Sequence, residues 1–246
     1  MKIIISPAKK MKVDLESQLP MTRPVFLDRA ERLKEWLQGL TYEQQKSLWQ
    51  CNDDIARENA RRFAHMDLHK NLTPALLAYE GIQYQYMAPV VFENQEFSYV
   101  QDHLRILSGF YGVLKPFDGV VPYRLEMQAK VHLDGLKSLY GFWGDALYKE
   151  VMDDSRTVIN LASKEYAKCL EKYLQPGDCW ITCIFGELQG SKVVQKGVYA
   201  KMARGEMVRY LAAHGAREPE IMKDFCWSGY RFAEALSNEG AYVFVK

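Results

Sequence analysis

Cysteine is sparse, and its pattern offers no pairing. Cys51, Cys169, Cys179, Cys183 and Cys226 are odd in number and contain no CxxC motif. The pattern suits reduced thiols in a cytosolic protein better than a disulfide framework. Long apolar runs are missing too: none approaches a membrane span, and Met1–Ile5 is too short for a signal-peptide core. An excess of one charge sign is also absent, since 32 Lys and Arg stand against 31 Asp and Glu. An anionic partner must therefore be held by a local patch, because the field of the whole chain is weak. No internal repeat, low-complexity linker or break in composition divides the 246 residues. What remains is globular, with 48% apolar and 26% charged residues. One compact α/β (α+β) domain, a mixed β-sheet core surrounded by helices, is expected in the cytoplasm.

The stretch Leu104–Met127 concentrates three glycines, two prolines, and Arg105, Lys115, Arg124 and Glu126 among large apolar side chains. Glycine permits close backbone approach, and proline fixes φ while removing a donor. The pattern predicts a buried strand at Leu104–Leu107, a tight turn at Ser108–Gly112 and a loop at Lys115–Gly119. A second strand is expected from Val120, carrying Tyr123, Arg124 and Glu126. Alternation would set Arg124 and Glu126 on one face with Leu125 and Met127 on the other. Two readings stay open: core strands with one surface ion pair, or the floor of a polar site.

Elsewhere, Lys2–Ile5 reads as a buried strand running into Ser6-Pro7. Ser6 and Lys9 then lie just past a strand's carboxyl end, where open α/β sheets bind ligands. The Ser-x-x-Lys spacing of serine acyl-enzymes is present without their partner motifs. Leu27–Leu40 has helical apolar spacing, and Thr41 with Gln44 forms a capping-box pattern. Asn52-Asp53 is turn chemistry, and Ile55–Phe63 resumes the helical period, so residues 41–64 resemble a helix–hairpin–helix. Arg57, Arg61 and Arg62 fall on its second helix. Thr73-Pro74 marks a helix start, with Gly81 expected to close that helix. Asp145 is the polar exception in an otherwise core-like segment. Thr157–Leu161 reads as a strand, and Ser163 is placed to cap the helix after it. The N–H groups at that helix start suit a phosphate or carboxylate. Residues 192–209 hold five basic side chains against Glu206 alone. His65 and His69 stand four apart without a third ligand, so neither metal nor cofactor is expected.

Taken together these segments resemble the YaaA family of bacterial peroxide-stress proteins. The resemblance rests on Ile5-Ser-Pro-Ala-Lys9, Leu104–Gly112 with Pro116 and Asp118, Pro122–Met127, Phe142–Asp145, Ile159–Ser163 with Glu165-Tyr166, and Tyr199-Ala-Lys201 with Ala203-Arg-Gly205. It implies a single α/β domain in the cytosol and a role in limiting oxidative damage to DNA. It further implies duplex binding through a positive cleft and the helix–hairpin–helix. The hairpin departs from a glycine-rich form, because Asn52-Asp53-Asp54 places two carboxylates where phosphate would approach.

Two functions follow as expectations. In the first, Lys46, Arg57, Arg61, Arg62, Lys201 and Arg204 contact phosphates of double-stranded DNA with little sequence reading. In the second, Ser6, Lys9, Arg124, Glu126, Asp145, Ser163, Lys164, Tyr199 and Lys201 converge on a pocket for a small anionic, phosphorylated or nucleotide-like substrate. No Cys/His/carboxylate spacing supports an iron-handling site.

Overall fold

The computed structural model describes residues 1–190 and 192–246. In chain order the strands are β1 (Lys2–Ile5), β2 (Lys10–Met11), β3 (Thr73–Pro74), β4 (Tyr79–Glu80), β5 (Leu104–Ser108), β6 (Gly112–Leu114) and β7 (Gly119–Val120). There follow β8 (Thr157–Leu161), β9 (Cys179–Gln189), β10 (Lys192–Val194), β11 (Arg231–Phe232) and β12 (Ala241–Val245). One mixed sheet of eight strands runs β11-β12-β9-β8-β1-β5-β6, with β10 paired to β9. From β12 to β5 every pairing is parallel, and the pairings of β5 with β6, β9 with β10 and β11 with β12 are antiparallel. Ile3, Ile4 and Ile5 are fully buried, as expected of a parallel strand covered on both faces. The strand β1 is thus interior, between β8 and β5, and not at a sheet edge.

The helices are α1 (Leu27–Gln38), α2 (Tyr42–Trp49), α3 (Asp53–Ala64), α4 (Ala75–Ala78), α5 (Ile82–Met87) and α6 (Asn94–His103). They continue with α7 (Leu139–Trp143), α8 (Ala146–Val151), α9 (Lys164–Glu171) and α10 (Gly197–Ala213). The long α10 packs against α5, α6 and β9, whereas α8 packs against α9 and β6. Thr41 and Gln44 make the reciprocal capping box at the start of α2, and Asn52 caps α3 by accepting from the Ile55 N–H.

Three local expectations are corrected. Thr73-Pro74 is a strand and not a helix start, because it pairs with Gly119-Val120. Gly81 opens α5 in extended conformation instead of closing a helix. Residues 121–127 form no ladder, although alternate side chains from Val121 to Met127 are buried as they would be in a strand. Pro122 removes a donor, and side-chain and turn contacts hold the segment in place of a partner strand.

Chain direction explains where a site can form. From β1 the chain crosses to β5 on one side, while from β8 it crosses to β9 on the other. Such a switch point opens a crevice beyond the carboxyl ends of β1 and β8.

Candidate functional site: a cationic cleft at the switch point

Ile5 and Leu161 are register partners at the ends of β1 and β8, so Ser6 and Ser163 leave the sheet side by side. The Ser163 N–H donates to Ser6 Oγ at 2.8 Å, and Ser6 Oγ lies 3.2 Å from Ser163 Oγ. Ser163 stands at the N-cap position of α9, yet its side chain makes no capping bond. Asn160 shapes the turn: its Oδ1 accepts from the Ala162 N–H at 3.0 Å, and its Nδ2 donates to Thr182 Oγ1 at 3.2 Å. The start of α5 is tied to both strand ends. Tyr84 Oη donates to the Ser6 carbonyl at 3.0 Å, and Gln83 Nε2 to the Leu161 carbonyl at 3.4 Å.

The second wall is the extended segment 121–127. Tyr123 is pinned inward by hydroxyl contacts to Tyr79 at 2.8 Å and Ser108 at 2.6 Å. Burial pushes its phenol up to about 12, so it stays neutral. Gly109 lets the preceding turn meet this segment closely, since a Cβ there would sit 2.4 Å from the Leu125 carbonyl oxygen. With Tyr123 and Leu125 turned inward, Arg124 and Glu126 face the cleft. Arg124 Nη2 donates to Glu126 Oε1 at 3.2 Å, and Lys9 Nζ reaches the same oxygen at 2.9 Å. One carboxylate thereby serves two cations. The Arg124 side chain is only 11% exposed, and its buried Nε has no hydrogen-bond partner among the described residues.

The third wall is α10, which presents Lys201 and Arg204. Buried Arg204 Nε also lacks a partner among the described residues. Desolvation lowers the Arg204 pKa, and among the described residues no carboxylate offsets it; buried Cys183 lies close by. Burial pushes that thiol up to about 12, so it stays neutral.

These walls enclose a cleft of about 500 Å³. Lys9, Lys10, Arg124, Lys201 and Arg204 face Glu80, Glu126 and Glu165 across it, a surplus of two cations. Burial and the neighbouring Glu126 raise the Glu165 pKa, while its Oε1 accepts from the Gln128 N–H at 3.1 Å. Two buried guanidinium N–H donors without acceptors and a surplus of positive charge make this a place where an anion gains hydrogen bonds that the protein does not supply.

Six of the sequence-derived pocket residues meet here: Ser6, Lys9, Arg124, Glu126, Ser163 and Lys201. Three do not. Asp145 pairs with Lys149 at 2.6 Å at the start of α8, which holds its carboxyl below the usual range. Lys164 is exposed on α9, and Tyr199 lies under Lys246 Nζ, 4.1 Å from the ring centroid. The sequence reading does not place Tyr84, Tyr123 or Glu165 in the pocket, and it assigns Arg204 to DNA contact. The spacing Ser163–Glu165, with Tyr166 buried beside it, carried a signal for Glu165 in the matching stretch.

The basic residues of α2 and α3 stand apart from the cleft. Lys46 pairs with Asp53 at 2.7 Å, and Arg62 pairs with Glu58. Arg57 and Arg61 are exposed and have no ion pair among the described residues. Residues 41–64 carry Lys46, Arg57, Arg61 and Arg62 against Glu43, Asp53, Asp54 and Glu58, so the element is neutral overall. Among the described residues no helix is long and apolar enough to cross a membrane.

A family described as "Peroxide stress protein YaaA" matches residues 1–236. A UPF0246 protein of Agathobacter rectalis is 57% identical over 244 residues, covering 99% of this chain and 98% of the relative. UPF0246 proteins of Desulfitobacterium hafniense and Lachnoclostridium phytofermentans are 53% and 52% identical over 246 residues, covering all of this chain and 98% and 96% of theirs. This chain therefore belongs to the peroxide stress protein YaaA family.

Proposed function

We propose that the chain serves the peroxide response by holding a small phosphorylated ligand in the switch-point cleft, as a binding protein or an enzyme. The observation that carries this reading is the pair of buried, unpartnered Nε atoms of Arg124 and Arg204 in one cavity. A buried donor without an acceptor costs roughly 1–3 kcal/mol, which a ligand oxygen removes. Guanidinium groups bind phosphate through two parallel N–H donors, and Lys9 and Lys201 add point charges at the mouth. Ser6 and Ser163 hydroxyls supply uncharged contacts at the strand ends.

The test is thermal unfolding with inorganic phosphate against chloride at matched ionic strength. At phosphate about a hundred times Kd the folded state gains ~2.7 kcal/mol. That is roughly 5–10 °C in Tm for a chain of this size. The rise should disappear in Arg124→Ala. An unchanged Tm across a wide phosphate range, or an equal rise in the variant, would refute the anion site.

A second reading, duplex DNA as partner, is favoured by the exposed, unpaired Arg57 and Arg61 one turn apart on α3. Like charges at this spacing repel unless an anion lies near. The neutral balance of the element argues that few phosphates are engaged there, so Lys9 and Lys201 at the cleft mouth must contribute. Binding should be insensitive to sequence and should weaken steeply with salt. If six or more phosphates are contacted, affinity falls by about a thousandfold between roughly 50 and 200 mM salt. Replacing Arg57, Arg61 and Arg62 with Glu should weaken binding while the Tm changes little. Salt-insensitive binding, or full affinity in the folded triple variant, would remove α3 from any interface.

A further inference from the structure

A second cavity, about 550 Å³, opens directly beside the cationic cleft. The two share Lys10, Glu80, Gly81, Ile82 and Tyr84 in their walls. The second is lined chiefly by carbon, from Leu76, Leu77, Ile82, Pro89 and Val90. The boundary between them is the short β2–β4 pairing, where Lys10 Nζ and Glu80 meet at 2.9 Å. Both side chains of that ion pair reach solvent, so it contributes little to stability.

Resting on the anion-site reading, we propose that this apolar lobe receives the nucleobase of a nucleoside monophosphate whose phosphate lies against Arg124 and Arg204. The two lobes present complementary halves of such a molecule: buried unpaired donors on one side and a carbon-lined recess on the other. A free inorganic anion would use only the first. Val90, on the rim of the recess, is 76% exposed and leaves an apolar contact free for a ligand. The rim is not uniformly greasy. Gln85 and Glu80 border the recess and offer an amide and a carboxylate to the polar edge of a heterocycle. An aliphatic tail would make no use of the Gln85 amide, whereas a base uses a flat apolar face and a hydrogen-bonding edge together. The aromatic pair Tyr79 and Tyr84, 5.4 Å between centroids, stiffens the shared wall, because Tyr84 is bonded to Ser6 and Tyr79 to Tyr123.

The experiment is calorimetric titration of the full chain with inorganic phosphate, ribose 5-phosphate, hexyl phosphate and adenosine 5′-monophosphate. The nucleotide should bind at least about tenfold more tightly than ribose 5-phosphate, with hexyl phosphate weaker than the nucleotide. Val90→Trp, a change at an exposed position that fills the recess, should reduce the nucleotide to the level of ribose 5-phosphate and leave inorganic phosphate unaffected. Equal affinities for nucleotide and ribose 5-phosphate overturn the base lobe and leave the anion site standing. Hexyl phosphate matching the nucleotide reassigns the recess to aliphatic ligands and also overturns it. If no phosphate compound binds at all, the anion site and the base lobe fall together.

Discussion

Arg204→Met should abolish the stabilisation by phosphate and yet leave the unliganded protein at least as stable as the native chain. Arg204 lies with a buried Nε that has no acceptor and with a pKa lowered by desolvation. Among the described residues it makes no salt bridge that would compensate this burial. An ion taken out of water without a partner costs several kcal/mol, and its replacement by an apolar residue of similar length is often neutral or stabilising by about 1–4 kcal/mol. Methionine keeps the aliphatic packing against α10 and its neighbours while removing the donors. Loss of phosphate response together with an equal or higher Tm is the signature of a residue kept for ligand binding. If the variant instead unfolds several degrees lower, Arg204 is a structural residue of α10 and the cleft loses one of its two unpaired guanidinium groups. The measurement is a pair of melting curves for each protein, with and without phosphate.

The same residue shows how far sequence alone could reach. Arg204 follows Tyr199-Ala-Lys201 in a stretch with a local excess of basic residues, which suggests a DNA-facing surface. Burial is what gives it its character, and burial depends on α5 lying across α10, a contact between residues more than a hundred positions apart. Local patterns fared better. The apolar run Lys2–Ile5, the capping box at Thr41 and the β-branched Thr157–Leu161 each became the element their chemistry predicts. Ser6 and Ser163 were legible as loop residues after strands, although their direct contact needed the parallel register of Ile5 with Leu161. Alternation in residues 121–127 correctly separated Arg124 and Glu126 from Leu125 and Met127, because period-two burial needs only extended backbone and not a ladder. Asp145 was misplaced for a simpler reason: a lone acid in an apolar segment looked functional, but Lys149 four residues on satisfies it. Gly81 was read as a helix stop because glycine is commonest there, whereas here its missing side chain makes room for Ala8, whose Cβ would stand 2.9 Å from an added one.

Gly205→Ala should cost stability and the ligand site together, and it tests whether the crossing of α5 and α10 is what assembles the cleft. A Cβ at residue 205 would lie 2.2 Å from the Gln83 carbonyl oxygen and 2.8 Å from the Met87 nitrogen. Both obstacles are backbone, so no side-chain rotation relieves the clash, and the two helices must separate. Overpacking of this kind costs roughly 1–3 kcal/mol and sometimes more. For a chain of this length that is a fall in Tm of about 3–10 °C. The consequence for the site follows from position. Gln83 and Tyr84 anchor α5 to the Leu161 and Ser6 carbonyls, while Lys201 and Arg204 lie within one turn of Gly205. Pushing α10 away moves both cations off the serines, so phosphate should no longer raise the Tm. Gly197→Ala is the control within the same helix: nothing lies within 4 Å of a Cβ there, and alanine costs less helix entropy than glycine. It should leave phosphate binding intact and raise the Tm slightly if at all. A Gly205→Ala protein with native stability would show that the helices part without penalty. A destabilised one that still responds to phosphate would show that Arg124 and the strand-end serines suffice, and that α10 is dispensable to the anion site.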